Sequence, residues 1–140
     1  MKILLTEGAG LTSRQVATQL HAKGHEVAAA VADDICLARF TRHVHTLHRV
    51  PEFGEDPLAW LDRVLEIVAV EDIPVIFPTQ EQVTVLSHQL PRVVAAGVAT
   101  AVPPFGALER VQDKLSALRT LEALQIPQPP TAVFQSATDT

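Results

Sequence analysis

Residues 2–34 read KILLTEGAGLTSRQVATQLHAKGHEVAAAVADD, and this stretch decides the fold. The apolar run 2–6 stops at Glu7 and two glycines, as a buried strand does before a tight turn. Thr12 or Ser13 stands where it can cap a helix whose apolar positions Val16, Ala17 and Leu20 fall at helical spacing. Gly24 is placed to end that helix in the left-handed conformation. Residues 26–32, EVAAAVA, are then almost wholly apolar, the mark of a strand covered on both faces, and Asp33 and Asp34 close it. Strand, helix and strand in one stretch make a crossover unit, and such units join parallel strands with a right-handed turn.

The pattern continues outward. Residues 35–41 fit a short helical turn, and residues 43–50 alternate as a strand that Pro51 stops. Asp56-Pro57 opens a long helix, with Asp at the cap and Pro in the first turn. Its stripe is Leu58, Leu61, Leu65 and Val68, flanked by Trp60, Val64 and Ile67. Residues 74–77, PVIF, predict another buried strand with Pro78-Thr79 at its exit. A helix is expected from about 80 to 90, where Pro91 breaks or kinks it, then a last helical turn to Gly97. Residues 99–102 read as a short strand ended by Pro103-Pro104. Strands alternating with helices over residues 1–104 predict an open α/β domain with a parallel sheet. The C-terminal residues have a different pattern: a short helix over 107–112, a leucine-striped helix over 113–125 and an extended run over 131–134.

Composition sets the bounds. A chain of 140 residues with 47% hydrophobic and 19% charged residues is long enough to bury a core and too apolar to be disordered. The net charge of −5, with no basic stripe, gives no footprint for nucleic acid. The single cysteine, Cys36, excludes an internal disulfide and a CxxC motif, and is expected to be a small buried residue. No apolar run approaches the ~20 residues of a membrane span. A cytoplasmic protein is the expectation, with no membrane partner.

In open parallel sheets, ligands bind at the C-terminal ends of the strands, where strand order reverses. The chain places Thr6, Glu7, Gly8 and Gly10 there after the first strand, Asp33 after the second, and Thr79, Gln80 and Glu81 at the exit of PVIF. Gly8-x-Gly10 with Asp33 about twenty residues on matches part of the dinucleotide fingerprint. Ser13, however, replaces its third glycine, and Glu7 puts negative charge where a pyrophosphate would settle. Thr79 and Glu81 admit two readings: a helix cap with a carboxylate favoured by the helix dipole, or a Glu7/Glu81 pair facing the crevice to hold an amine or hydroxyl. His43, His45 and His48 do not make a metal site on a strand, because His48 points away from the other two. Lys114, beside the Asp113 cap, is either solvated or holds a phosphate at the helix N-terminus.

Several segments in order resemble the N-terminal part of ATP-grasp enzymes of the carbamoyl-phosphate-synthetase-like group. They are Gly24-His25-Glu26-Val27, Ala38-Arg39-Phe40-Thr41-Arg42, Val50-Pro51, Asp56-Pro57, Pro78-Thr79-Gln80-Glu81 and Asp113-Lys114, the last leading into LSALRTLEALQIPQPPT. The resemblance covers residues 2 to about 134 and rests on order and spacing rather than on one motif. It implies a Rossmann-like pre-ATP-grasp domain over residues 1–104, and linker helices with the start of an incomplete ATP-grasp domain over 105–140. It further implies that Lys114 contacts the ATP phosphates, and that Glu7, Gly8, Asp33, Thr79 and Glu81 line a small-molecule substrate. The reaction implied joins a carboxylate to an amine or similar nucleophile through an acyl-phosphate, with ATP and Mg2+. The second nucleotide lysine, the glycine-rich loop and the magnesium acids of such enzymes are not in these 140 residues. The chain alone is therefore expected to be inactive, to bind no cofactor tightly, and to need an ATP-grasp domain in cis or on a partner. The stripe on helix 113–126 is expected to dock on that domain or to drive self-association. Two alternatives are an NAD(P)-binding Rossmann domain, and a non-catalytic module for a small ligand or a protein.

Overall fold

The computed structural model describes residues 1–133. It divides into two compact units, Met1–Phe105 and the residues from Gly106 onward. The first unit holds a five-stranded sheet, all parallel, in the order β3-β2-β1-β4-β5. The strands are β1 (Lys2–Leu5), β2 (Glu26–Val31), β3 (Thr46–Arg49), β4 (Val75–Phe77) and β5 (Ala99–Thr100). Register aligns Leu4 with Ala28 and with Ile76, and Ala28 with Thr46.

Side-chain alternation divides the core into two layers. On one face Leu5, Val27, Ala29 and Val31 pack with Ala17 of helix α1 (Leu11–Ala22) and with Cys36 and Ala38. Ala38 belongs to a 3-10 turn, Leu37–Phe40. On the other face Leu4, Ala28, Ala30 and Ile76 pack with Trp60, Leu61, Val64 and Val68 of helix α2 (Pro57–Val70). Leu86 of α3 (Gln82–His88) and Val93 of α4 (Leu90–Ala95) complete that layer. Small alanines in β2 let both helical layers approach the sheet closely. Asp56 caps α2, accepting from the N–H groups of Leu58 and Ala59 at 3.1 and 2.9 Å, with Pro57 at the first position.

Several boundaries differ from expectation. Helix α1 starts at Leu11 after Gly10, with no side-chain cap, so neither Thr12 nor Ser13 caps it. Its far end keeps to the pattern: Gly24 has φ +79°, and the His25 N–H reaches back to the Leu20 carbonyl at 3.1 Å. Strand β3 begins only at Thr46. The expected helix 80–90 is two pieces meeting at Gln89 (φ −101°, ψ 21°). The Pro91 ring would collide with the carbonyl four residues back, on Ser87, so the chain leaves the helix between them. Strand β5 is two residues long rather than four.

The second unit contains helix α6 (Lys114–Ala123), and α5 (Phe105–Gln112) leads into it. Asp113 caps α6, accepting from Leu115 and Ser116 N–H groups at 2.9 Å each. The hydroxyl and backbone N–H of Ser116, then the Leu115 N–H and Arg119, hold the Asp113 carboxyl below the usual carboxylate range. Phe134, the end of the expected extended run, lies outside the described residues. No described helix is long and apolar enough to cross a membrane.

Candidate functional site

Strand order reverses between β1 and β4, and the turns leaving those strands meet. Their meeting point is a chain of short polar contacts. The Glu7 carboxylate accepts from the backbone N–H groups of Ala9 at 2.6 Å and Gly10 at 2.9 Å, and from the Ser13 hydroxyl. Ser13 Oγ also lies 2.8 Å from Thr79 Oγ1. The Thr79 N–H donates to Thr6 Oγ1 at 3.1 Å, and the Thr6 hydroxyl donates to Gln82 Oε1 at 3.4 Å. Thr6, Ser13 and Gln82 are buried, so each link satisfies a group that would otherwise be costly to desolvate. With the Ser13 hydroxyl donating to the Glu7 carboxylate, its oxygen is left to accept from the Thr79 hydroxyl.

The two glycines serve close packing within the chain. A Cβ on Gly8 would fall 2.7 Å from Val31 Cγ1 and 2.8 Å from Ala38 Cβ. The Gly8 carbonyl accepts the Ala38 N–H at 2.8 Å, which pins the 3-10 turn over this loop. A Cβ on Gly10 would meet Glu7 Oε1 at 2.9 Å and Gln80 Nε2 at 3.0 Å. The turn is thus filled by its own carboxylate. A pyrophosphate would need the N–H groups that Glu7 already holds.

In front of this network opens a cavity of about 480 Å3 at the C-terminal edge of the sheet. That is within the range of small-molecule sites. Glu7, Gly8, Asp33 and Glu81 all line it, bringing together four of the residues singled out from sequence. Thr79 does not line the cavity and bonds to Ser13 and Thr6 behind it; it does not cap α3, whose first turn has no side-chain cap. Asp33 Oδ1 accepts from the Ile35 N–H at 3.0 Å, which shapes the rim. Lys114 belongs to the second unit, as the first residue of α6.

The cavity also contains residues that sequence reasoning passes over. Trp60, only 1% exposed, is among its lining residues, with Phe53 edge-on at 5.4 Å. Glu52 and Gln82 line the walls. Trp60 looks in the sequence like one more core position of an amphipathic helix. Glu52 comes after Pro51 with no motif around it. Gln82 lies three residues after Thr79, a position where the return contact to Thr6 depends on how β1 and β4 pair.

The histidines do not gather as three. His43 and His45 precede β3 and flank His21 of α1, with ring centroids 5.0 and 5.4 Å apart, while His48 lies on the α2 face of β3. Partial burial, then His21, Arg42 and Arg14, hold the His43 pKa below the ordinary histidine value. Burial, opposed by Glu71 and helped by Arg63 and Lys2, does the same at His48. Among the described residues no group of three or more His, Cys, Asp or Glu could hold a metal ion. Cys36 is a free, buried thiol.

Comparison with protein-family models and with curated proteins returns no match. Solved structures do match. The biotin carboxylase domain of a single-chain bacterial carboxylase superposes with a TM-score of 0.68 at 16% identity, covering 99% of this chain and 32% of the other. The biotin carboxylase subunit of pyruvate carboxylase gives 0.68 at 17% identity, covering 96% and 30%. The fold is that of the biotin carboxylase N-terminal domain. The Hydrogenobacter thermophilus 2-oxoglutarate carboxylase biotin carboxylase domain, solved with MgADP, ADP and bicarbonate, shares this N-terminal fold. It gives 0.67 at 17% identity, covering 92% of this chain and 28% of that one. The chain spans about a third or less of the length of each.

Proposed function

We propose that this chain is the N-terminal, substrate-side domain of an ATP-dependent ligase of the ATP-grasp type. Such an enzyme activates a carboxylate or bicarbonate as an acyl-phosphate and transfers it to an amine or related nucleophile. The observation that carries this reading is the biotin carboxylase fold match over nearly the whole chain, with a cavity at the β1/β4 reversal. Glu7, Gly8, Asp33 and Glu81 are assigned to the substrate side, and Thr79 positions Glu7 through Ser13.

Phosphoryl transfer needs cations around the transferring group. The described residues supply one candidate, Lys114, the first residue of α6 beside the Asp113 cap. They supply no metal-holding cluster, so Mg2+ belongs to residues outside this set. ATP with Mg2+ provides the activating phosphoryl group in the complete protein, and tight binding to this chain alone is not expected. The remaining ATP-grasp part is assigned to the same polypeptide or to a partner chain. The stripe Leu115, Leu118, Leu121 and Leu124 is assigned to contact with it or with a second copy. The dinucleotide alternative is disfavoured by the Glu7 carboxylate on the Ala9 and Gly10 N–H groups.

The test is ADP release by the native protein supplied with MgATP, bicarbonate or small carboxylates, and amines. Lys114→Ala is expected to weaken ATP binding about ten- to hundredfold, the range of a hydrogen bond to a charged group. A native protein without ATP affinity overturns the ligase reading. Unchanged affinity in the variant removes Lys114 from the site.

A further inference from the structure

Four of the six histidines, His21, His25, His43 and His45, lie near the N-terminal edge of the sheet, the end away from the cavity. His43 and His45 belong to residues 41–45, the connection from the 3-10 turn to β3. The backbone of this connection is lightly tied. Among the described residues its N–H groups give one bond to the sheet, from His45 to the Val27 carbonyl at 2.8 Å, while the His43 N–H turns back to Thr41 Oγ1 at 3.3 Å. Side chains supply the remaining contacts. Val44 packs on the layer that holds Ala17 and Leu20, and the His43 and His45 rings lie against His21 of α1. Tilted rings 5.0 and 5.4 Å apart are within the range of favourable aromatic packing.

That packing suits neutral rings. His43 Nδ1 is a buried atom with no hydrogen-bond partner. An imidazolium donates from both nitrogens, so a proton on His43 puts an N–H where nothing accepts it. The charges that act on His43 are also of one sign: His21 and Arg14 from α1, and Arg42 from its own connection. Glu26, at the start of β2, lines a hollow with His21, His25 and His45, and His43 is not part of that lining. The carboxylate therefore offsets charge on those three rings and leaves His43 without a counter-charge. Both costs disappear when the protonated ring turns out into water.

We propose that residues 41–45 are a proton-operated latch on α1, closed while the His43 ring is neutral and lifted into water when that ring takes a proton. Opening releases the bond from His45 to Val27 and uncovers Val44 and Leu20. Strand β3 stays paired, because Thr46 to Arg49 hold their own register on β2. The movement is thus a local opening, at a lower free energy than loss of the whole fold. It stands apart from the ligase reading and from the cavity.

The test is amide hydrogen exchange of the full chain at pH ~7.5 and ~5.5, on either side of the ordinary histidine value, with rates corrected for the intrinsic pH dependence of exchange. Protection of the His45 N–H is expected to fall about three- to tenfold at the lower pH, ten being the limit for one histidine about a unit below its ordinary pKa. At both pH values that exchange should be insensitive to low urea, as a local opening is, while the amides of β1 are better protected and lose protection steeply with urea. His43→Phe keeps a ring against His21 and cannot take a proton, so its His45 protection should be the same at both pH values. An unchanged His45 protection in the wild type, or one that follows β1 in size and urea dependence, overturns the latch. A fall that persists in His43→Phe overturns His43 as its trigger. Should that variant not fold, as loss of β1 protection would show, the urea comparison on the wild-type chain still decides.

Discussion

The Ser13 hydroxyl bridges Glu7, in the turn after β1, and Thr79, in the turn after β4, with Ser13 Oγ 2.8 Å from Thr79 Oγ1. It is buried, and with the Thr6 hydroxyl it links the two strand exits on either side of the sheet's reversal point. Ser13→Ala leaves the Thr79 hydroxyl short of its acceptor and removes one of three donors to the Glu7 carboxylate. A loss of about 1–3 kcal/mol in urea unfolding is expected, the cost of stranding a buried polar group. A change below about 0.5 kcal/mol would show that the bridge contributes no net stability.

Ser13→Gly restores the third glycine of the dinucleotide pattern and so separates pattern from geometry. Titration of this variant with NAD is expected to give no saturable binding, because Glu7 still occupies the Ala9 and Gly10 N–H groups. Saturable micromolar binding would mean that Glu7 swings away, and the phosphate-site reading of the turn would return.

The alternation of strands and helices is legible because β1, β2 and β4 are covered on both faces and therefore read as apolar runs. The Asp56 and Asp113 caps and the Gly24 terminus are equally plain, since each depends on residues within a few positions. Glu7, Asp33 and Glu81 emerge from asking which polar groups come after strands. Ser13 does not: its value comes from Thr79, far along the chain, and no local pattern reports a contact across the sheet. Residues 43–50 alternate well, yet pairing with β2 begins only at Ala28 and Thr46. His43 and His45 turn instead toward His21 of α1. Periodicity cannot see that helix.

Gly8 tests whether the loop after β1 is held by packing. With no positive φ required there, the cost of Gly8→Ala comes from space alone: the new methyl meets Val31 at 2.7 Å and the backbone-anchored Ala38 at 2.8 Å. Neither neighbour is a flexible side-chain tip. A destabilisation of about 1–3 kcal/mol is expected, as for overpacking elsewhere, measured by the urea midpoint. Gly54→Ala, where a Cβ meets nothing within 4 Å, is the matched control.

Asp56→Ala removes the acceptor for the Leu58 and Ala59 N–H groups at the start of α2, the helix that carries Trp60. Loss of such a cap costs about 1 kcal/mol. Because Trp60 is the single tryptophan, its fluorescence reports the unfolding of this helix directly. Asp56→Asn should recover most of the loss, since an amide oxygen caps nearly as well as a carboxylate.

His43 gives stability a pH dependence whose sign is set by its surroundings. Partial burial and the neighbouring His21, Arg42 and Arg14 depress its folded-state pKa, and His45 stands on the other side of His21. At pH ~7.5 the ring is mostly neutral in both folded and unfolded chains, so it contributes little. As pH falls through about 6.5, the ordinary histidine value, the unfolded chain binds a proton that the folded chain resists. Stability is therefore lost on acidification. His48, depressed by burial, acts in the same direction. The Tm of the wild-type chain should drop between about pH 7.5 and 5.5, and His43→Gln should reduce that drop while changing the Tm at the upper end little. A slope identical to wild type in the variant would assign the acid sensitivity to His48 or to other groups, and a Tm rising on acidification would reverse the sign argued for His43.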